Sequence, residues 1–214
     1  EVAELYRGHE VAAHTLTHPF LPELDDEEII RQIEEDRKNL EKLLGKDIVG
    51  LAYPGGGIGG VNTNEHIISL IRKNSKIKYA RTTICNGSFD TQDNLLEFHP
   101  TAYHLNFDEI MELGEKFIKL KTEEKKIFYV WGHSYEFNIY GNWDVMEEFC
   151  RNCGGRDDIW YATNIEIADY IKALRALRFT CDQTVVYNPS AISVWIAADN
   201  TCVEVKSGET KKLN

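Results

Sequence analysis

Two histidines near the start of the chain and one past its middle have the type and spacing to do chemistry. The stretch Gly8-His9-Glu10-Val11-Ala12-Ala13-His14-Thr15-Leu16-Thr17-His18-Pro19 reads as a short strand, Val11 to Ala13, running into a loop. His14 stands at the strand's C-terminal end and His18 one turn later, and Pro19 biases His18 away from helix. Two imidazoles at this i, i+4 spacing on a strand-to-loop turn can converge on one divalent ion. They can also be two hydrogen-bonded histidines at a loop edge. Two ligands do not complete a catalytic metal site, which needs a third, most usefully a carboxylate, and an open position.

The second feature is Phe128-Tyr129-Val130-Trp131-Gly132-His133-Ser134. An apolar strand delivers His133 at its C-terminal end, the end that carries chemistry in parallel α/β architectures. A histidine there can act as general acid or base near neutral pH, or simply bond the loop backbone. Tyr135, Phe137, Tyr140 and Trp143 follow in what reads as a loop, able to stack on sugar faces or to pack the loop itself. The third feature, Leu51-Ala52-Tyr53-Pro54-Gly55-Gly56-Gly57, is again a strand stopping in a loop. No G-K-[ST] follows the glycines, which excludes a P-loop; Tyr53, Pro54 and Gly55 can wall a groove.

The elements that must hold these residues alternate between two periods. Asp25 to Leu44 is an amphipathic helix, with Ile29, Ile33, Leu40 and Leu44 as its stripe, Ile30 and Leu43 beside them, an aspartate cap and Gly45 at its end. Ile48 to Tyr53 is a strand, Thr63 or Asn64 opens a helix through Ile71, and Ile77 to Thr83 is the next strand. Asp108 to Leu120 is a helix, and Ile127 to Trp131 a strand apolar enough to be buried on both faces. Glu147 to Cys150 ends a helix that closes at Gly154-Gly155. Ile159 to Ala162 reads as a strand, and Thr163 with Glu166 forms a capping box for a helix to about Leu177. From Thr184 the period is two, with Asp199-Asn200 as a hairpin turn. Strand-helix alternation followed by hairpins defines an α/β fold, a parallel barrel or doubly wound sheet with a small β appendage. The boundary falls near residue 180, giving 1–180 and 181–214.

Composition narrows the function. The 214 residues carry a net charge of −11, which disfavours a nucleic-acid partner. There is no apolar run long enough for a transmembrane helix. The five cysteines, Cys85, Cys150, Cys153, Cys181 and Cys202, are odd in number and irregular in spacing. They do not read as a disulfide framework, and the one C-x-x-C lacks the second pair that a zinc site would use. Free thiols favour a reducing, cytoplasmic compartment. The opening residues Glu1 to Tyr6 read as the tail of a helix already under way.

Together the three motifs resemble those of the polysaccharide deacetylases of carbohydrate esterase family 4, and in that family's order. His14-Thr15-Leu16-Thr17-His18 is similar to its H-[ST]-x-x-H metal motif, Ala52-Tyr53-Pro54-Gly55-Gly56 to its groove-wall motif, and Trp131-Gly132-His133 to its L-x-H motif. The resemblance implies a distorted (β/α) barrel of fewer than eight repeats and a divalent ion, usually zinc. It gives His14 and His18 as metal ligands, His133 as the acid that protonates the leaving amine or alcohol, and Tyr53, Pro54, Gly55 and Trp131 as residues lining the groove and acetyl pocket; Tyr135, from the aromatic segment, joins them as an expected substrate-binding residue. The substrate implied is an N- or O-acetylated carbohydrate.

The sequence departs from the family in three places. The opening T-F-D-D motif, source of the base and of the carboxylate ligand, is absent; the third ligand is expected upstream of residue 1, and the barrel is expected to be N-terminally incomplete here. Ala52 replaces an arginine that orients the base in many members, and Trp131 replaces a leucine that lines the acetyl pocket. The chain alone is therefore expected to be inactive. A barrel without its first strands exposes an edge, so an oligomer or a strand-completing second chain is expected. Two other functions fit the same residues: glycan binding without hydrolysis on the aromatic segment from Tyr135 to Trp143, and hydrolysis of a small amide or cyclic ureide.

Overall fold

The computed structural model describes residues 1–55, 62–199 and 201–213. The chain falls into two compact units, Glu1–Tyr161 and Ala162–Asn214.

In the first unit the strands are short and the helices between them are sharply punctuated. Helix α1 spans Val2–Leu5. Helix α2, Asp26–Leu44, starts where Asp25 accepts the Glu28 N–H at 2.8 Å and stops where Gly45 takes φ 66°, the left-handed turn that glycine adopts without a Cβ penalty. Its stripe buries Ile29 and Ile33 against Leu51, Ile67, Ile68 and Ile71, each worth roughly 1.5–3 kcal/mol of transfer free energy. Leu40 and Leu44 pack at the margin, whereas Leu43 is exposed. Arg37 is 5% exposed on the same helix because Glu34, at 2.8 Å, and Glu41 pair with it. Strand β1 is Gly50–Ala52, helix α3 Glu65–Asn74 with Asn64 as its cap, and strand β2 Tyr79–Arg81. Strand β3 is Ala102–Tyr103, helix α4 Phe107–Ile118 and strand β4 Val130–Trp131. Helices α5, Ser134–Tyr140, and α6, Trp143–Cys153, follow.

Parallel pairing runs through this unit in chain order. Ala13 pairs with Leu51; β1 pairs with β2 in the register Gly50 to Tyr79, Leu51 to Ala80 and Ala52 to Arg81. Arg81 pairs with Phe98, and β3 pairs with β4, Ala102 to Val130 and Tyr103 to Trp131. Every one of these pairings is parallel, as strand-helix-strand connections require. Consequently the residues just past Ala13, Ala52, Arg81, Tyr103 and Trp131 all leave the strands at the same, C-terminal edge. The fold is mixed α/β.

Three expectations are corrected. Residues 127–131 are only half-buried, not covered on both faces. Phe128 meets Phe89, Phe117 and Phe149, while β4 pairs with β3 alone among the described residues. Residues 159–162 form no strand. There the Tyr161 hydroxyl donates to the Cys153 carbonyl at 2.7 Å and accepts from the Arg156 N–H, so local bonding to the end of α6 overrides aromatic strand propensity. Tyr135, Phe137 and Tyr140 lie on helix α5 and Trp143 opens α6, where a loop was expected. Glu136 caps the start of α5 by accepting the His133 N–H, and Gly141 ends it at φ 61°.

The second unit is built on helix α7, Asn164–Ala176, with the expected Thr163–Glu166 capping box. Strands β5, Arg178–Phe179, β6, Val185–Tyr187, and β9, Thr210–Lys212, form one antiparallel sheet. Strands β7, Val194–Ala198, and β8, Thr201–Val205, form an antiparallel pair. Its core joins Ala173 to Val186, Val194 and Val205. Asn188, fully buried, donates to the carbonyls of Ile192 and Val205. Asn200 of the expected hairpin turn lies outside the described residues. Among the described residues no helix is long and apolar enough to cross a membrane.

Candidate functional site

His14 and His18 meet: their ring centroids are 4.9 Å apart, edge to face. His14 is held from both ends. Its backbone N–H donates to Asp36 Oδ2 at 2.7 Å, and its Nδ1 lies 2.7 Å from the carbonyl of Ala52. A carbonyl only accepts, so Nδ1 carries the proton and Nε2 keeps a free lone pair. Burial pushes the His14 imidazole below its ordinary value; the bond to Ala52 partly opposes this, and the charges of His18 and Arg81 add to it. The ring is therefore neutral at pH 7, the form that binds metals. Burial likewise raises the Asp36 carboxyl, tempered by the His14 N–H.

The loop carrying the pair is strained and braced. Thr15 and His18 adopt φ of 67° and 58°, uncommon for any residue other than glycine and most so for a β-branched one such as Thr15. The Thr15 hydroxyl accepts the His18 N–H at 3.2 Å. Gln32, 3% exposed on α2, holds the loop by accepting the Thr17 N–H on its side-chain oxygen at 3.0 Å and the Leu16 N–H on its backbone carbonyl. Asn62 accepts the Leu21 N–H at 2.6 Å and donates to the carbonyls of Pro19 and Pro54. It thereby ties the His loop to the loop after β1.

A second cluster surrounds His133. Its Nδ1 and its backbone N–H both lie 3.1 Å from Glu136 Oε2. His104, 2% exposed just past β3, places Nε2 at 2.6 Å from the same oxygen, and the Tyr103 hydroxyl donates to Glu136 Oε1. Burial alone would raise the Glu136 carboxyl, but the bonds from Tyr103, His104 and His133 outweigh it and bring it down to about 2. His133 stacks near Tyr135 and Trp131, at 5.1 and 5.6 Å between centroids. Among the described residues no ring contact joins His133 to His14 or His18. Arg81 is the link between the clusters. It is paired in register with Ala52, its guanidinium lies 4.3 Å over the Trp131 ring, and its charge acts on His14. Burial lowers its ordinary value, and among the described residues no carboxylate pairs with it.

The groove-wall residues are placed differently. Tyr53 is 1% exposed and its hydroxyl donates to the Leu96 carbonyl at 2.8 Å; burial raises it well above the ordinary tyrosine range. Pro54 is buried and Gly55 half-buried, with Thr83 where a Cβ on Gly55 would fall. Gly56 and Gly57 lie outside the described residues. The Trp131 indole N–H donates to Cys85 Sγ at 3.3 Å, and Tyr135 is 58% exposed.

Sequence reasoning missed Gln32, Asp36, Asn62, Arg81, His104 and Glu136. Gln32 and Asp36 carry a readable signal, polar residues beside the apolar stripe of α2. Glu136 carries another, an acid three places after a helix-opening His133. Asn62, Arg81 and His104 matter through partners distant in the chain, which no local pattern reveals.

A parallel α/β unit with a histidine pair at its C-terminal edge defines the class. The comparisons agree with the resemblance read from the motifs: residues 2–73 match the polysaccharide deacetylase family. That stretch contains the His14–His18 and Ala52–Gly55 motifs but not His133. The structure is similar to that of a probable polysaccharide deacetylase from Pseudomonas aeruginosa PAO1, at 17% identity and a TM-score of 0.56, over 78% of this chain. This chain covers 62% of that one. A CE4 family pseudoenzyme from Bacillus anthracis matches over 70% of this chain and 45% of its own, at 12% identity and a TM-score of 0.42. No curated protein matches the sequence.

Proposed function

We propose that this protein is a metal-dependent deacetylase acting on N- or O-acetylated carbohydrate. The observation that carries the reading is the paired imidazoles of His14 and His18, with the His14 proton committed to the Ala52 carbonyl. Metal-binding histidines commonly give their second N–H to a carbonyl in this way, which fixes the tautomer and the ring. The donor set therefore fits a zinc ion. Among the described residues no third His, Cys, Asp or Glu joins the pair, and the reading assigns the third ligand and the base to an Asp-Asp motif upstream of residue 1. Bound there, the ion supplies Lewis acidity toward an acetyl carbonyl.

The chain's own residues have four tasks in this reading. His133 holds a proton on Nε2 for the leaving amine or alcohol. Trp131, backed by the Arg81 guanidinium, walls the acyl group. Arg81 also stands beside Ala52, where many deacetylases have the arginine that orients the base, and takes over that task from the neighbouring strand. Tyr135 offers an exposed ring to a sugar, Gly55 and Pro54 line the approach, and Tyr53 supports them from the core.

The test is acetate release by the complete encoded protein from acetylated chito- and xylo-oligosaccharides. Turnover should vanish with a chelator, return with zinc, and be lost in His14→Ala. Acetate release that survives both treatments rejects the reading. Glycan binding without hydrolysis is the second reading. The exposed rings of Tyr135, Tyr140 and Trp143 favour it, and retention of oligosaccharides by a protein that releases no acetate would select it.

A further inference from the structure

We propose that Glu136 is a positioning residue: its carboxylate fixes the ring orientation and the proton placement of His133, leaving Nε2 as the working nitrogen. This inference rests on the reading of His133 as the acid. The argument is a count of donors. A carboxylate accepts about four hydrogen bonds and, when ionised, donates none. Glu136 receives four: from the Tyr103 hydroxyl, His104 Nε2, His133 Nδ1 and the His133 backbone N–H. With no proton of its own to offer, it obliges both His104 Nε2 and His133 Nδ1 to carry theirs; at His104 Nε2 the 2.6 Å contact with the carboxylate prevails over the longer approach of the His133 N–H at 3.3 Å. The full complement of donors also keeps the group ionised, in line with its depressed pKa.

Two consequences follow for the two rings. His104, with Nε2–H committed, leaves Nδ1 buried and without a partner, and its ring is wedged between the carboxylate and Gly132. His133 is 41% exposed at its side chain, its Nδ1 is tied down, and among the described residues nothing bonds its Nε2. Nε2 is then the one nitrogen that can take up or release a proton at a substrate. A capping role alone would need only the bond from the His133 backbone N–H. The Tyr103 and His104 bonds do nothing for the helix, and they come from β3 and the residue just past it.

The proton placement can be read without activity. In long-range ¹H–¹⁵N spectra of the full chain at alkaline pH, where imidazoles are neutral, His133 should show a single tautomer with the proton on Nδ1. In Glu136→Gln that preference should be lost, with the Nε2–H form appearing, while Tyr103→Phe should retain the Nδ1–H form. In the complete encoded protein Glu136→Gln should lower kcat by about 10²–10⁴-fold with KM little changed. Finding the His133 proton on Nε2 in the unaltered protein overturns the inference even if the variants fail to fold. So does a folded Glu136→Gln that keeps Nδ1–H. If the tautomer behaves as stated but His133→Ala still releases acetate, the acid assignment falls and the positioning stands.

Discussion

The imidazole of His104 occupies the space that a Cβ on Gly132 would need. Two residues just past successive strands are thus fitted to one another, and both bear on the site. Gly132 is followed at once by His133, and His104 delivers its Nε2 to the carboxylate that holds His133.

Gly132→Ala is accordingly a specific lesion. The methyl group overlaps the His104 ring, and the ring cannot retreat because it is 2% exposed and its environment is packed. Overpacking of this kind costs about 1–3 kcal/mol. We expect that loss of stability in urea denaturation, together with release of His104 from Glu136 and a change in the His104 imidazole NMR signals. An unchanged unfolding midpoint would mean that the ring and the glycine are not in contact.

The relation between His104 and Gly132 also marks how far the sequence could be read. Helix α2 was legible end to end, because its cap, stripe and glycine stop are all local. So was α7 with its capping box. The histidine pair was legible because its two members share one loop. What stayed hidden is whatever links segments far apart in the chain: Asn62 to Pro19 and Pro54, Arg81 to Trp131, and His104 to Glu136. Helix α5 was missed for a different reason. Its seven residues are aromatic-rich and poor in helix formers, and it is set by the Glu136 cap and the left-handed Gly141 rather than by propensity.

Acid should attack the Glu136 cluster in a defined window. The Glu136 carboxyl lies at about 2 in the folded protein against an ordinary 4.5. A depressed carboxylate contributes stability that is fully present above its unfolded value and is lost as pH falls through the folded one. The unaltered protein should therefore lose stability between about pH 4.5 and pH 2 more steeply than Glu136→Gln, by up to about 1.4 kcal/mol per pH unit where one proton is taken up. Denaturation curves of both proteins across that range decide it. Parallel slopes would show that Glu136 keeps its ordinary titration on folding.

Asn62 should matter as much to stability as a large core residue. It satisfies the Leu21 N–H at 2.6 Å and the carbonyls of Pro19 and Pro54, all from a side chain in a residue only 6% exposed. Asn62→Ala leaves those three groups without their partner, and a buried polar group so abandoned costs about 1–3 kcal/mol. We expect a loss of about 2–4 kcal/mol in urea denaturation, the carbonyls being the easier to rehydrate. Asn62→Asp should recover part of it, since a carboxylate still accepts the Leu21 N–H.

Metal affinity should rank the residues by their distance from the ion. Titration with zinc, followed by calorimetry, compares His18→Ala, Asn62→Ala and Gln32→Ala in the same chain. Asn62 and Gln32 touch no metal in the proposed reading; they hold the loop on which His14 and His18 converge. Losing such an outer support typically weakens a metal site by about 10–100-fold. His18→Ala removes a ligand outright and should weaken binding further than either. Because Thr15 and His18 sit at positive φ, the loop returns to a relaxed conformation once its braces are cut, so Gln32→Ala should approach the His18 variant rather than the unaltered protein. If zinc binds all four proteins alike, the ion is held elsewhere and the paired imidazoles are structural.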